Sequence, residues 1–114
     1  MKIKSKRIIL IDLDGVLNNY KGNFKQDYIE PVTDSAYKFI KELSEYYRLI
    51  LFTSRDIALA SKWVNDNNLS EYIEEVTNTK KPCFLLIDDR CITFNGNFSE
   101  LKNKICNFEV WYKK

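Results

Sequence analysis

The stretch Ile8-Ile9-Leu10-Ile11-Asp12-Leu13-Asp14-Gly15-Val16-Leu17 carries the strongest structural signal in this 114-residue sequence. Its first four residues are apolar, three of them β-branched, and they lack the alternation of a strand with one wet face. Such a run predicts a strand buried on both faces, as in the middle of a parallel sheet. It ends in two carboxylates one residue apart, and side chains two positions apart on an extended chain point the same way. Asp12 and Asp14 are therefore expected side by side at the carboxyl end of a central strand, the edge at which open α/β sheets take ligands. Gly15 permits a sharp turn and a close backbone approach there. Two like charges beside an apolar strand are unfavourable unless a cation joins them. A hard divalent ion fits, above all Mg²⁺, which takes a few carboxylate oxygens and fills its remaining positions with water or phosphate. The plainer alternative is that both acids cap the following turn, where Asp is common.

Composition narrows the options. The length suits one domain, residues 1–114, with a real core. A hydrophobic fraction of 45% with 30% charged residues is that of an ordinary globular protein. The net charge of +2 is too small to demand nucleic acid or membrane as a partner. Met1 to Arg7 is basic, but Asp12 and Asp14 interrupt the apolar run too early for a signal peptide, and no stretch approaches membrane-spanning length. A cytoplasmic location is the default expectation. Cys83, Cys91 and Cys106 form no Cys-x-x-Cys pair, which argues against a disulfide framework or a zinc knot. The chain has no histidine, so Cys-His and Ser-His-Asp chemistry and His-ligated metals are excluded. Acid–base work must fall to carboxylates, Lys or Tyr.

Outward from the first strand, Lys2, Lys4, Lys6 and Arg7 are expected to solvate its amino end. Val16 to Glu30 is polar and carries Tyr20, Lys21, Phe24, Lys25 and Tyr28, which predicts a flap over the carboxylate edge. Its aromatics read first as a small packing cluster and second as a substrate platform. Pro31 to Asp34 starts a helix whose stripe is Ala36, Phe39, Ile40, Leu43 and Tyr47. Leu49 to Phe52 is a second strand, ending in Thr53-Ser54-Arg55, and Asp56 caps a helix over Ile57 to Asn67. Ile73 to Val76 is a weaker strand, Thr77 to Pro82 a loop with Lys80 and Lys81, and Cys83 to Ile87 a buried strand ending in Asp88-Asp89-Arg90. A short helix begins near Ser99, and Phe108 to Trp111 reads as a final strand. The order is that of an α/β domain with a mainly parallel sheet. Parallel strands bring Asp12, Asp14, Thr53, Asp88 and Asp89 to one edge, with a lysine from the preceding loop. Carboxylates in that number suit a divalent metal, and the hydroxyl and ammonium groups suit an anion such as phosphate.

In this order the elements resemble the haloacid dehalogenase-like (HAD) phosphohydrolase superfamily: an Asp-x-Asp-Gly strand end, a Thr strand end, a Lys, then an acidic pair. The resemblance spans Ile8 to about Phe98, and Thr77 to Phe98 looks like small bacterial or phage members. Val16 stands where many members carry Thr. The resemblance implies a three-layer Rossmann-like fold, and the interstrand segments leave no room for a cap domain. It implies a Mg²⁺-dependent phosphomonoester hydrolase acting through an aspartyl-phosphate, on substrates that could include nucleotides or nucleic-acid phosphate ends. Asp12 would be the nucleophile and Asp14 the acid and base. Asp12, Asp88, Asp89 and the backbone carbonyl of Asp14 would hold Mg²⁺. Thr53 and Lys80 would hold the phosphoryl group, with Ser54 and Arg55 as further substrate contacts. By spacing, Lys80 rather than Lys81 matches the family lysine, and Lys81 reads as a solvated loop charge. Arg55 and Arg90 read on their own as surface ion pairs. Two other classes compete. A receiver-like signalling domain uses similar groups but carries its adjacent acidic pair on the first strand, the reverse of this order. A silent phosphate-binding scaffold would keep the groups without turnover.

Overall fold

A computed structural model describes residues 7–113; Lys2, Lys4 and Lys6 lie outside the described residues. Strands β1 (Ile8–Ile11), β2 (Arg48–Phe52), β3 (Ile73–Thr77) and β4 (Leu85–Ile87) form one sheet in the order β3-β2-β1-β4. All neighbouring strands are parallel. β1 is flanked on both sides, Ile9 opposing Leu49 in β2 and Leu85 in β4. Ile9, Leu10 and Ile11 are accordingly buried, as the unbroken apolar run predicts.

Helices α1 (Asp34–Leu43) and α2 (Ile57–Asp66) connect β1 to β2 and β2 to β3. Each starts at a side-chain cap that satisfies an orphan amide: Thr33 accepts from the Ala36 N–H and Asp56 from the Leu59 N–H. Ala36 and Ile40 of α1 and Ala60, Trp63 and Val64 of α2 join Ile9, Ile11, Leu49 and Leu51 in one core cluster. Alternate residues of a strand face opposite sides. Both helices therefore cover the face that carries Ile9 and Ile11. Leu10 and Ile50 are buried on the opposite face.

Three elements differ from the sequence expectation. Helix α1 stops at Leu43, and Tyr47 follows in a turn closed by its amide on the Leu43 carbonyl at 3.1 Å. β4 is shorter than Cys83–Ile87 and is an edge strand, with Leu85 40% exposed. An apolar run reports affinity for cover, and here part of that cover is aromatic: Phe84 stacks on Tyr47 and lies under the Arg7 guanidinium. Helix α3 (Phe98–Cys106) buries no residue. Residues 108–111 form no strand; Val110 is buried and Trp111–Lys113 is a 3-10 turn. No helix among the described residues is long and apolar enough to cross a membrane.

Candidate active site

The Asp12 amide donates to the Ile87 carbonyl at 2.8 Å, extending the β1–β4 ladder by one rung. That bond sets Asp12 beside the end of β4, and the next two residues of that chain are Asp88 and Asp89. Carboxylate oxygens of Asp12, Asp88 and Asp89 lie within 4.8 Å of one another. After Leu13 the chain turns, with the Leu17 amide on the Leu13 carbonyl at 2.9 Å. Gly15 sits in that turn at φ +83°, and a Cβ there would run into the Asp89 carboxylate, with Tyr112 Cε2 at 3.1 Å. Only glycine permits this approach.

The turn also separates the two acids of the first motif. The Asp14 carboxylate is not in the acid cluster. Its Oδ2 accepts from Arg55 Nε at 2.7 Å, and its Oδ1 accepts from Arg55 Nη2 at 3.1 Å and Asn18 Nδ2 at 3.0 Å. The resemblance places the Asp14 backbone carbonyl, not its carboxylate, at a metal, and this side-chain pairing does not bear on that expectation. Arg55 is no surface ion pair: it is 4% exposed. Its Nη1 donates to the Lys25 carbonyl, and its guanidinium lies 4.3 Å from the centre of the Phe24 ring. One arginine thus ties the flap to Asp14.

Thr53 is buried at the end of β2, its amide on the Thr77 carbonyl at 3.0 Å and its Oγ1 accepting from the Arg55 amide at 3.1 Å. Two adjoining clefts, of about 300 and 210 Å³, share Asp12, Thr53, Ser54 and Asp88 as common wall. The first is bordered also by Asp14, Asp89, Tyr20, Phe24 and Arg90, the second by Phe52 and Asn78. Larger hollows of about 390 and 430 Å³ include none of the clustered acids; size is a poorer guide here than the chemistry of the walls. Lys80 is exposed and borders neither cleft. Lys81 is half-buried and ion-paired with Glu75 of β3. Arg90 is exposed, its amide on Asp88 Oδ1 at 2.8 Å and its guanidinium on the Tyr112 hydroxyl at 3.4 Å.

Sequence reasoning missed two groups. Asn18 is buried; its Oδ1 accepts from the Gly15 and Tyr20 amides, each at 3.1 Å, and its side chain reaches Asp14. An Asn just past a glycine turn was the available signal, since its amide can replace backbone partners. The second is the 3-10 turn. The Trp111 indole N–H donates to the Gly15 carbonyl at 2.8 Å, and Tyr112 meets Tyr20 edge-on at 6.0 Å. Nothing in the sequence marks that return to the acid loop.

Burial, with Asp88 and Asp89 alongside, pushes Asp12 up to about 8. Asp89 is raised as well, chiefly by burial. Folded protein therefore keeps a proton on Asp12 through a range where the unfolded chain has lost it. From about pH 4 to pH 8 the stability of metal-free protein should fall as pH rises, and the dependence on this group should end above about 8. Discounted for partial exposure to water, the drop in Tm is on the order of 5 °C. Melting in a chelator at several pH values checks this, with Asp12→Asn expected to flatten the profile. An equally sloped profile in the variant would remove Asp12 as its source.

Comparison with protein-family models and with curated proteins gives no match. A solved structure described as the conserved protein coded by a locus from Bacteroides thetaiotaomicron superposes with a TM-score of 0.59. The likeness covers 94% of this chain and 95% of that one at 18% identity. It shows a shared α/β fold.

Proposed function

We propose that this chain is a Mg²⁺-dependent phosphomonoesterase of the HAD type, a capless α/β unit that works through an aspartyl-phosphate. The observation that carries the reading is the convergence of Asp12, Asp88 and Asp89 where two strands end, in a cleft walled also by Thr53. The residues fit the ion. All three offer hard oxygen donors, and their crowding raises Asp12 until it holds a proton that a divalent cation would displace. Asp12, Asp88 and Asp89, with the Asp14 carbonyl, would hold it. When bound, Mg²⁺ supplies positive charge to the phosphoryl oxygens and the nucleophile.

The chain's own groups then divide the work. An Asp12 oxygen bonds to phosphorus as the bond to the leaving oxygen breaks, and Asp14 gives that oxygen its proton. Asp14 next takes a proton from the water that attacks phosphorus, inorganic phosphate leaves, and the Asp12 carboxylate is restored. Arg55 and Asn18 hold Asp14 in the resting protein, so its proton transfers require that pairing to loosen when substrate arrives. Thr53 Oγ1 hydrogen-bonds the phosphoryl group, and Lys80 swings in from its loop to neutralise it.

Phosphate release from a broad panel of phosphate esters, with and without Mg²⁺, tests the reading. Release that depends on the metal is expected; none from any ester by folded, Mg²⁺-supplied protein would overturn it. A silent phosphate-binding scaffold is the competing reading, favoured by the absence, among the described residues, of a lysine from the cleft walls, and it predicts that null result. Within the enzyme reading, Lys80→Ala should cost about 10²-fold in kcat, the scale of one lost phosphoryl contact. Lys81→Ala should cost under about 3-fold, because Lys81 is committed to Glu75. The reverse ranking would mean that the other lysine serves the site.

A further inference from the structure

We infer that the substrate is a nucleoside phosphomonoester, its phosphate at the Asp12 wall and its base against the rings of Phe24 and Tyr20. The inference rests on the hydrolase reading for the fate of the phosphate, and on separate observations for the base. Both rings border the cleft that contains Asp12, Thr53 and Asp88. A flap cluster that existed to pack would bury its aromatics, yet Phe24 is 56% exposed. The ring is nonetheless fixed, because the guanidinium stacked on it belongs to buried Arg55, itself held by Asp14. Tyr20 is fixed independently. Its amide is held by Asn18, and its ring meets Tyr112 edge-on at an interplanar angle of 80°. Tyr112 in turn meets Trp111 edge-on, and Trp111 is fastened to Gly15.

Two oriented rings beside an acid cluster, Phe24 exposed and Tyr20 half-buried, suit a flat aromatic group a short reach from a phosphate. Aromatic faces accept any base, whereas a sugar phosphate without one leaves them uncovered. Lys21 and Lys25 are exposed on the same flap and Arg90 borders the cleft, which adds positive charge for a polyanionic ligand. The cleft, about 300 Å³, lies at the small end of the range for ligand sites. It can seat a nucleotide without enclosing it, and a free nucleotide and the phosphorylated end of a strand present the same chemistry.

The test uses the full chain with Mg²⁺, and two readouts: equilibrium binding by calorimetry and kcat/KM by phosphate release. The ligands are 3′- and 5′-nucleoside monophosphates, ribose 5-phosphate, a phosphotyrosine peptide, and short single-stranded oligonucleotides with a terminal phosphate. A nucleoside monophosphate should bind about 10-fold or more tightly than ribose 5-phosphate, the worth of one stacked base. That ratio should fall towards one in Phe24→Ala and Tyr20→Ala and persist in Phe24→Trp, which keeps an aromatic face. A further gain for the oligonucleotide would assign the strand end as the source, and equal affinity the free nucleotide. The base preference in binding without any phosphate release would uphold this inference and remove the hydrolase reading. Release with no preference for nucleotides over ribose 5-phosphate, or a preference for the phosphotyrosine peptide, would overturn the inference and leave the hydrolase standing.

Discussion

Asp12→Asn should lower kcat by about 10⁴-fold or more while the fold is kept, the scale on which loss of a covalent nucleophile is felt. Asparagine matches the shape of aspartate, so the β1–β4 rung through the Asp12 backbone amide survives. The amide has no charge with which to attack phosphorus and is a poorer partner for a divalent ion. The expected loss therefore combines chemistry and metal affinity. Raising Mg²⁺ separates them, since only the second is recovered at saturation. The folded state should not suffer, because the substitution removes a carboxylate that burial and two neighbouring acids already force to hold a proton. Stabilisation of about 0.5–2 kcal/mol is expected above neutral pH, as at other sites where function is kept at the expense of stability. Phosphate release at saturating Mg²⁺ and a melting curve at pH 8 are the measurements. Activity within tenfold of the parent protein would assign the nucleophile elsewhere.

Arg55→Ala should be the most damaging single change to the fold. The Arg55 side chain is 3% exposed, and it joins two stretches that sequence keeps apart: both oxygens of Asp14, and the Lys25 carbonyl with the Phe24 ring. Removing one partner of a buried ion pair costs about 3–5 kcal/mol because the other charge is left without compensation. Asp14 is 17% exposed and keeps Asn18, so water softens the penalty to about 2–3 kcal/mol. In a chain of this length that lowers Tm by on the order of 10 °C. Arg55→Lys should recover little, since an ammonium cannot span two carboxylate oxygens or stack flat on a ring. Denaturant unfolding of Arg55→Ala, Asp14→Asn and the double variant gives the pair's coupling, expected at about 1.5–3 kcal/mol. A loss below about 0.5 kcal/mol in Arg55→Ala would contradict the buried pairing.

The elements that sequence revealed were those whose signal is local. Ile8–Ile11 announced a doubly flanked strand because every side chain in it needs cover, and β1 is such a strand. The capping side chains Thr33 and Asp56 are bound to amides three residues ahead, within the reach of a short pattern. What stayed hidden depended on distant partners. Asp14 and Arg55 are 41 positions apart, and neither residue type says whether its charge will meet water or its opposite. β4 reads like β1 in composition but lies at the sheet edge, because hydropathy reports a need for cover and not which neighbour provides it. Phe108 to Trp111 has the aromatics of a strand. Yet the buried Val110 and the indole bond to Gly15 give that segment a different use.

That bond closes a span of 96 residues, from the loop that follows the first strand to the turn after the last helix. Contacts so far apart in sequence form late, because the chain between them must first be ordered. During synthesis the amino-terminal strand leaves the ribosome long before the turn that clasps its loop. A nascent chain can begin to fold from β1, but the wall made by Tyr20 and Tyr112 has to wait for residue 112. The loop that carries Gly15 is thus clasped only after every strand of the sheet has been made.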